Sequence, residues 1–349
     1  MEHMVPLDIE DSRQLLDYLR RTGRIAAHEM PQVRVLGGGV SNRTVLLVRE
    51  SGEAWVLKQA LAKLRVAVDW YSDPLRIHRE ALGLRRLAEL APPGSITPFL
   101  FEDLEEHLFA MAAVPQPHEN WKSMLLAGRI EDDHVRQFGT LLGTMEHRAW
   151  EQREVLAPAF EDRSFFESLR LEPYYAYTAE QIEPARAFLR ELIEETRSLR
   201  LTLVHGDYSP KNVLVHDGRL VLLDHEVIHF GDPAFDLGFS LTHLLSKAHH
   251  LPAYRGAFAR AARIYWEAYL RALGEVPWRA GLEARAIAHT MACLLARVAG
   301  RSPLEYLDDG ERSRQRAAVL ALIDAQPQTL DALIERFLSA IASNGVRDR

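Results

Sequence analysis

Residues 204–215 read VHGDYSPKNVLV and place a cluster of polar side chains between two apolar runs. The apolar runs are rich in Val and Leu, which favours buried strands on both sides of a turn. A turn needs only one or two of Gly, Pro, Asn or Asp to reverse the chain. This turn contains more polar groups than that, namely His205, Asp207, Ser209, Lys211 and Asn212. We therefore expect it to have a chemical function.

Composition places the chain among ordinary soluble globular proteins. Its 349 residues are enough for two lobes, and 47% of them are hydrophobic and 26% are charged. The balance of 42 Lys and Arg against 49 Asp and Glu gives a net charge of -7, which argues against non-specific nucleic-acid binding. No apolar run reaches about 18 residues and the N-terminus lacks a signal-peptide pattern, so we predict a cytoplasmic protein without a membrane segment. The sequence leaves the oligomeric state open.

The pattern of apolar residues changes once along the chain. An amphipathic helix at about 8–22 precedes residues 32–60, which alternate and turn like a strand, a glycine loop and two further strands. A second helix is predicted at about 74–90, and most of the remaining chain has helical spacing. We therefore predict an α+β fold with a small N-terminal β-sheet lobe and a larger, mainly helical C-terminal lobe. The predicted lobes are residues 1–114 and 115–349.

The sequence LGGGVSN at 36–42 forms a glycine-rich loop between two predicted strands. Successive glycines let the backbone approach a ligand closely and offer N–H groups to phosphate oxygens. The loop lacks the closing Gly-Lys-Ser/Thr of a P-loop, and a plain hairpin turn is an equally good interpretation of the loop alone. Its candidate nucleotide-binding residues are Gly37, Gly38, Gly39, Ser41 and Asn42.

Lys58 ends an apolar strand, and Glu80 lies in the helix that follows. Each residue taken alone is typical of a solvated surface position. Together with the glycine loop, however, they match the order in which a kinase lysine holds the α- and β-phosphates and is itself held by a carboxylate. We therefore predict that Lys58 and Glu80 belong to a nucleotide site.

Two further segments supply the remaining parts of such a site. Asp207 and Asn212 are five residues apart, a spacing that places a carboxylate against an acceptor hydroxyl and an amide oxygen against Mg²⁺. The strand RLVLLDHE ends in Asp224 and Glu226, which lie on the same side of an extended chain. Paired hard oxygen ligands suit a Mg²⁺ ion that bridges phosphates. An acidic turn that simply leaves the core is the alternative for this segment.

The motifs HGDYSPKN, LLDHE and GDPAFDLGF resemble those of the aminoglycoside phosphotransferase and choline kinase superfamily. The glycine loop, Lys58 and Glu80 follow in the order of that superfamily, so the resemblance extends from about residue 30 to 310. It implies a protein-kinase-like fold and phosphoryl transfer from ATP, with Mg²⁺, to a hydroxyl group of a small molecule. The implied residues are Asp207 as catalytic base, Asn212, Asp224 and Glu226 as metal ligands, and Met111 and Ala113 at the adenine.

Within the superfamily, residues 57–80 are similar to the 5-methylthioribose kinase pattern, in which a Trp-bearing loop, here with Trp70, separates the lysine strand from the helix glutamate. Arg297 and Arg301 resemble a late arginine pair that meets the sugar in that branch, and they would share one face of a helix that continued through both. The run 208–212 departs from methylthioribose kinases and keeps the Asn of the wider superfamily. The resemblance implies a ribose-type sugar that contacts Trp70, Arg297 and Arg301.

Three alternatives stay open on the sequence. A cationic acceptor, such as an aminoglycoside or amino alcohol, would meet carboxylates or aromatic faces, for which EPYYAY at 172–177 is the nearest supply, and the two late arginines would then be solvated. A protein kinase would share the phosphate-binding residues, but the Ala-Pro-Glu element and an evident activation loop after Asp224 are missing. A catalytically silent nucleotide-binding protein would be expected to have lost the lysine, the base or a metal ligand, and all of these are present.

Overall fold

The computed structural model describes residues 7–37, 41–65 and 71–343. The N-terminal part contains helices α1 (Ser12–Arg21) and α2 (Arg76–Leu90) and strands β1 (Gln32–Val35), β2 (Asn42–Val48), β3 (Ala54–Ala60), β4 (Phe99–Asp103) and β5 (Leu108–Ala112). These strands pair in an antiparallel sheet with the order β1-β2-β3-β5-β4.

Alternation of side chains across the sheet explains how the two helices attach to it. Along β3, Trp55 and Leu57 join the apolar side of α1 in one core cluster. Val56 and Ala60 alternate with them and pack with α2 on the opposite face. Lys58 shares the parity of Val56 and Ala60, so an otherwise apolar strand presents one lysine to α2.

Both N-terminal helices predicted from the sequence are present, and each is shorter than expected. α1 begins after Asp11, whose side chain accepts hydrogen bonds from two N–H groups of the first turn. α2 begins at Arg76, because the preceding residues form a turn in which the Asp73 side chain accepts the Leu75 N–H at 2.9 Å.

The C-terminal part is mainly helical. Its helices are α3 (Trp121–Leu126), α4 (Asp132–Glu151), α5 (Arg153–Ala159), α6 (Ser164–Phe166), α7 (Tyr177–Gln181), α8 (Arg186–Ser198), α9 (Ala234–His250), α10 (Arg255–Leu273), α11 (Leu282–Ala299), α12 (Asp309–Asp324) and α13 (Leu330–Ser343). Glu167–Ala176, between α6 and α7, is wound as a π-helix, and 3₁₀ turns occur at Glu183–Ala185, Pro210–Asn212, Pro252–Tyr254 and Pro277–Arg279. None of the helices in the described ranges combines the length and apolar character needed to cross a bilayer.

Short strands flank the polar turn at residues 205–212. They are β6 (His118–Asn120), β7 (Thr202–Val204), β8 (Val213–His216), β9 (Arg219–Leu222) and β10 (His229–Gly231). β7 pairs with β10, and β8 pairs with both β6 and β9. The polar turn therefore connects two small antiparallel sheets.

The core of the C-terminal part lies between α4, α9, α10 and α11. α4 and α10 approach closely at Gly139, where a Cβ atom would lie 2.4 Å from the carbonyl oxygen of Tyr265. Phe138 stacks on Tyr208 with 4.2 Å between ring centroids, and the Tyr208 hydroxyl donates to the Phe138 carbonyl at 2.7 Å. The core thus anchors the polar turn directly. The predicted lobe boundary falls between β5 and β6 and stays a prediction.

Candidate active site

The turn 205–212 connects β7 to β8 and is held by backbone constraints. Gly206 has a φ of +78°, and a Cβ atom at this position would lie 2.9 Å from the Cγ2 atom of Val227, so glycine is required. Asp236, in the first turn of α9, accepts hydrogen bonds from the N–H groups of His205 at 2.6 Å and Gly206 at 2.8 Å. These contacts fix the start of the turn to α9.

His205 and His225 brace the turn as neutral side chains. The Asp207 N–H donates to Nδ1 of His205 at 3.2 Å, so the ring proton of His205 lies on Nε2, which contacts Nδ1 of His225 at 3.0 Å. Burial lowers the pKa of His205 to about 4 and that of His225 well below its ordinary value. Both imidazoles are therefore neutral and support the turn through hydrogen bonds.

Asp207 presents one free carboxylate oxygen. Its Oδ2 atom accepts hydrogen bonds from Nδ2 of Asn212 at 2.7 Å and from Nη2 of Arg170 at 2.9 Å. The same Asn212 amide donates to the Asp207 carbonyl at 3.0 Å. Among the residues that the structure describes, none donates to Oδ1. The carboxylate is thus oriented through one oxygen and available through the other.

Arg170 was missed by the sequence interpretation. It is buried in the π-helical segment and donates from Nε to the Gly206 carbonyl at 2.8 Å. Burial alone would lower its pKa, but the neighbouring charge of Asp207 raises it, so the guanidinium stays protonated. The available signal was an arginine within a largely aromatic and aliphatic stretch, because arginine is seldom fully buried without a partner.

Lys58 and Glu80 meet as predicted, and Asp224 joins them. The Nζ atom of Lys58 lies 2.5 Å from Oε1 of Glu80 and 3.0 Å from Oδ1 of Asp224. Burial lowers the pKa of Lys58, but attraction to Asp224 and Glu80 outweighs it and raises the pKa overall. Burial raises the pKa of Asp224, but Lys58 outweighs it and lowers the pKa overall. The pair is therefore ionised.

The predicted metal motif forms a cluster of converging carboxylates. One oxygen each from Glu80, Asp224 and Glu226 lies within 4.8 Å of the others. Asp224 has a φ of +68°, a left-handed conformation that is costly for a residue other than glycine and that is concentrated at functional sites. Burial, and after it the charge of Asp224, raise the pKa of Glu226. Such a cluster suits a divalent cation.

Arg76 is a second residue that sequence reasoning missed. It is fully buried at the start of α2 and donates to the main-chain carbonyls of Ser41 and Leu61. Its Nε atom lies 3.3 Å from Oε2 of Glu226. Arg76 therefore ties the end of the glycine loop to the metal motif, which are distant in sequence.

The glycine loop is described in part. Gly37 is exposed, whereas Ser41 and Asn42 are buried at the start of β2. Three predicted site residues lie outside the described residues, namely Gly38, Gly39 and Trp70. The phosphate-binding role of the loop therefore stays a prediction.

The main chain at the end of β5 is where the adenine contacts are predicted. Met111 is buried within β5. The N–H of Ala113 donates to the carbonyl of Ala54 at 2.9 Å, so this donor is already used by the sheet. The next N–H, that of Val114, has no hydrogen-bond partner within residues 7–37, 41–65 and 71–343. The main-chain donor that remains free here is that of Val114, and the adenine contacts stay a prediction.

The structure separates the two predicted substrate arginines. α11 ends before Gly300, so Arg297 lies in its last turn and Arg301 lies beyond it. Arg297 donates from Nη1 to the hydroxyl of Tyr174 at 3.1 Å, whereas Arg301 pairs with the half-exposed Glu172 at 2.9 Å. The condition for a shared face, a helix that continues through both residues, is not met because α11 ends between them. Their contact with a sugar stays a prediction.

Solved structures resemble the chain over most of its length. Amicoumacin kinase hAmiN, in complex with AMP-PNP, Ca²⁺ and Ami, has 18% sequence identity and a TM-score of 0.59, and the match covers 93% of this chain and 97% of that chain. Choline kinase LicA from Streptococcus pneumoniae has 14% identity and a TM-score of 0.50, with 97% and 99% covered. The gentamicin–APH(2″)-IIa complex has 14% identity and a TM-score of 0.50, with 97% of each chain covered. This likeness confirms the predicted two-lobed, kinase-like α+β fold.

Sequence comparison identifies the family. No curated protein matches the chain significantly. Residues 32–276, from β1 to the segment after α10, match the phosphotransferase enzyme family known as APH. This match confirms the predicted superfamily and the prediction of a phosphotransferase enzyme, whereas the methylthioribose kinase branch stays a prediction. The chain is a member of the phosphotransferase enzyme family.

Proposed function

We propose that this enzyme transfers the γ-phosphoryl group of ATP to a hydroxyl group of a small molecule, with Mg²⁺ as the metal ion. Two features of the site together carry the proposal. Asp207 is oriented through Oδ2 and keeps Oδ1 free, and Asp224 contacts Lys58 at 3.0 Å. Phosphoryl transfer depends on positioning and charge neutralisation more than on covalent chemistry. A base, a phosphate-binding lysine and hard oxygen ligands are the groups that this reaction requires.

The transfer step uses Asp207 as the proton acceptor. The acceptor hydroxyl oxygen forms a bond to the γ-phosphorus, the bond to the β,γ-bridging oxygen breaks, and ADP leaves with that electron pair. The hydroxyl proton goes to Oδ1 of Asp207. Asn212 and Arg170 hold Oδ2, so the reactive oxygen keeps a fixed direction. Arg170 is a positioning residue, since it acts through Asp207.

Asn212, Asp224 and Glu226 fit a magnesium ion. Their donor atoms are carboxylate and amide oxygens, which Mg²⁺ prefers. Burial, and after it like-charge repulsion from Asp224, raise the pKa of Glu226, and a cation would relieve that repulsion. Bound Mg²⁺ supplies charge neutralisation at the β- and γ-phosphate oxygens. Lys58, which contacts Asp224 at 3.0 Å, would bind the α- and β-phosphate oxygens.

The acceptor is less constrained by these contacts. A ribose-type sugar stays a candidate, but only Arg297 of the predicted arginine pair faces the interior, so the paired recognition of sugar hydroxyls loses its support. An amino alcohol or aminoglycoside stays the alternative. Each would require carboxylate groups or exposed aromatic faces near Asp207.

Asp207→Asn tests the proposed function. ATP consumption is measured against sugars, amino alcohols, aminoglycosides and hydroxy acids, and ATP binding is measured by calorimetry. We expect the variant to lose at least about 100-fold in kcat because it lacks the proton acceptor. Its affinity for ATP should not change. Asp217→Asn, in the exposed turn between β8 and β9, serves as the control.

Two results would contradict the proposal. Full turnover in Asp207→Asn would exclude the carboxylate as the base. Nucleotide binding by the wild type without turnover of any acceptor, and without any effect of Asp207→Asn, would favour a catalytically silent regulatory protein.

A further inference from the structure

One face of α9 extends from the catalytic turn toward a group of basic residues. Asp236 holds the start of the turn, and Ser240 donates to the Tyr208 carbonyl at 2.8 Å. Residues three and four positions apart share a helix face, so His243 and Lys247 continue this row. With a rise of 1.5 Å per residue, they lie roughly 5 and 10 Å beyond Ser240 along the helix.

His243 and Lys247 are buried without adequate partners. His243 is 4% exposed, and neither ring nitrogen has a hydrogen bond within the described residues. Lys247 is 0% exposed, and its Nζ atom donates to the His243 carbonyl of its own helix at 3.2 Å. No carboxylate in the described part of the chain forms an ion pair with this ammonium group. A buried ammonium is costly unless an anion pairs with it.

An aromatic layer connects this cluster to Asp207. The ring of Tyr174 contacts two guanidinium groups, with its centroid 5.8 Å from Cζ of Arg170 and 5.5 Å from Cζ of Arg297. Arg170 is the partner of Asp207. Arg297 and the residue that orients the base therefore contact the same aromatic ring.

The same layer reaches α9 through ring contacts. Tyr174 stacks on Phe239 with 5.9 Å between centroids, and the edge of Phe239 meets His243 at 5.1 Å. Nε of Arg297 is buried without a hydrogen bond to any described residue. Arg297 and His243 thus bring unused donors to opposite ends of one aromatic layer.

Lys122 and Tyr306 lie on the outer side of the cluster. The Tyr306 ring centroid is 5.3 Å from Nζ of Lys247 and 6.0 Å from Nζ of Lys122. Lys122 follows Asn120, whose Nδ2 atom donates to the Lys211 carbonyl of the catalytic turn at 2.7 Å. This side of the cluster therefore also adjoins the turn that carries Asp207.

Positive charge outweighs negative charge among the side chains of this cluster. Glu305 pairs with Lys122, and it is the one acid that the described residues bring against Lys122, Lys247 and Arg297. The Glu305 side chain is 64% exposed, so it lies at the solvent edge of the cluster. Burial, together with repulsion from Lys122 and Arg297, lowers the pKa of Lys247 to about 7. A carboxylate is already accommodated at this edge, and none of the described residues forms an ion pair with Lys247 or Arg297.

We infer that Lys122, His243, Lys247, Arg297 and Tyr306 form an anion site that binds a carboxylate or phosphate group of the acceptor. The inference rests on the proposed function, because it assigns the acceptor of the same reaction. The acceptor is then a hydroxy compound with a negative charge, and its hydroxyl faces Asp207 while its anionic group lies among the basic side chains. Glu305 occupies the solvent edge of the site until the acceptor's anionic group replaces it at Lys122.

Matched acceptors test the charge requirement. ATP consumption is measured for hydroxy acids against their methyl esters and amides, for sugar phosphates against the free sugars, and for amino alcohols. We expect turnover of an anionic member and loss of turnover in its uncharged counterpart. Preference for the hydroxy acids assigns a carboxylate, and preference for the sugar phosphates assigns a phosphate.

Two variants test the residues. Lys247→Met and Arg297→Gln should each raise KM for the anionic acceptor by about 10- to 100-fold, the value of a hydrogen bond to a charged group. Turnover at saturation should change much less, because these contacts bind substrate and transition state alike. Arg301→Gln is the matched control, since Arg301 pairs with Glu172 outside the cluster and its loss should leave KM unchanged.

A binding measurement separates failure of this inference from failure of the proposed function. D-Glycerate is titrated calorimetrically with ADP and Mg²⁺ present, and the same titration is repeated with Lys247→Met and Arg297→Gln. D-Glycerate binding that both variants weaken supports the anion site even without turnover. Turnover restricted to uncharged or cationic acceptors, with neither variant changing KM, would overturn the inference and leave the kinase assignment standing.

Discussion

Replacing Lys247 by Met removes an ammonium group that α9 buries completely. Burial and the nearby cations lower the pKa of Lys247 from its ordinary value of 10.5 to about 7. Each pKa unit between the unfolded and the folded state is worth ~1.4 kcal/mol. At pH 7 the buried Lys247 therefore lowers the free energy of unfolding by up to about 4 kcal/mol. Met has a similar length and carries no charge. We therefore expect Lys247→Met to be the more stable protein at pH 7.

The pH dependence of the free energy of unfolding tests Lys247 more directly than the stability at a single pH. Between pH 7 and pH 9 the unfolded chain keeps the Lys247 proton, whereas the folded chain releases it. The unfolded state binds more protons over this interval, so the free energy of unfolding of the wild type rises with pH. The rise attributable to Lys247 is ~2 kcal/mol, and Lys247→Met should lack this part of it.

Urea unfolding followed by tryptophan fluorescence at pH 7 and pH 9 measures both quantities. Lys211→Met is the control, because Lys211 is exposed and its removal should leave the pH dependence of the wild type intact. Equal pH dependence in the wild type and Lys247→Met, or a less stable variant at pH 7, would mean that Lys247 already has a strong anionic partner. Either outcome would refute the reasoning.

Three further variants test the site. Arg170→Met should lower kcat by at least about 10-fold with unchanged ATP affinity, and Arg170→Lys should recover part of that activity, as steady-state kinetics would show. Asp224→Asn should abolish the Mg²⁺-dependent tightening of ATP binding, and calorimetry with an unchanged Mg²⁺ effect would contradict it. Gly206→Ala should destabilise the protein by ~2 kcal/mol because its φ is positive and Val227 is close, which thermal unfolding measures.

The sequence revealed those parts of the site that lie within one short motif. His205, Asp207 and Asn212 sit in one turn, and their number exceeds what a turn requires. Asp224 and Glu226 end one strand and project to the same side. In each motif, local spacing alone places the groups together, so no knowledge of tertiary contacts was needed.

The sequence did not reveal the roles of Arg76 and Arg170, because these roles depend on contacts between distant segments. Arg170 precedes Asp207 by 37 residues and reaches it only because the segment around it winds as a π-helix against the catalytic turn. Arg76 meets Ser41 and Glu226, which are 185 residues apart in the sequence. Periodicity in a single segment contains no information about such contacts.

The end of α11 between Arg297 and Arg301 could have been predicted from the sequence. Gly300 and Pro303 are both helix stop signals, and together they predict the end of α11 that the structure has. The hydrogen bond made by the Ala113 N–H could not be predicted in the same way. Which N–H group the sheet consumes depends on strand register, and here Ala54 accepts the Ala113 donor.

α9 joins the catalytic turn to the anion site through a rigid element. Its first half holds the turn through Asp236 and Ser240, its second half carries His243 and Lys247, and nearly all of the helix is buried. The distance between Asp207 and the bound anionic group is therefore set by the fold. An acceptor of matching length places its hydroxyl at Asp207, whereas a shorter one binds through its charge and reacts poorly.

Acceptor charge should consequently govern KM, and acceptor length should govern kcat. A series of straight-chain hydroxy acids, with the hydroxyl at the end opposite the carboxylate, separates the two effects. KM should vary little along the series, because the carboxylate contacts are shared, and kcat should pass through a maximum at one chain length. Lys247→Met should raise KM for every member and leave the position of that maximum unchanged. Equal kcat along the series would mean that the anionic group does not position the hydroxyl at Asp207.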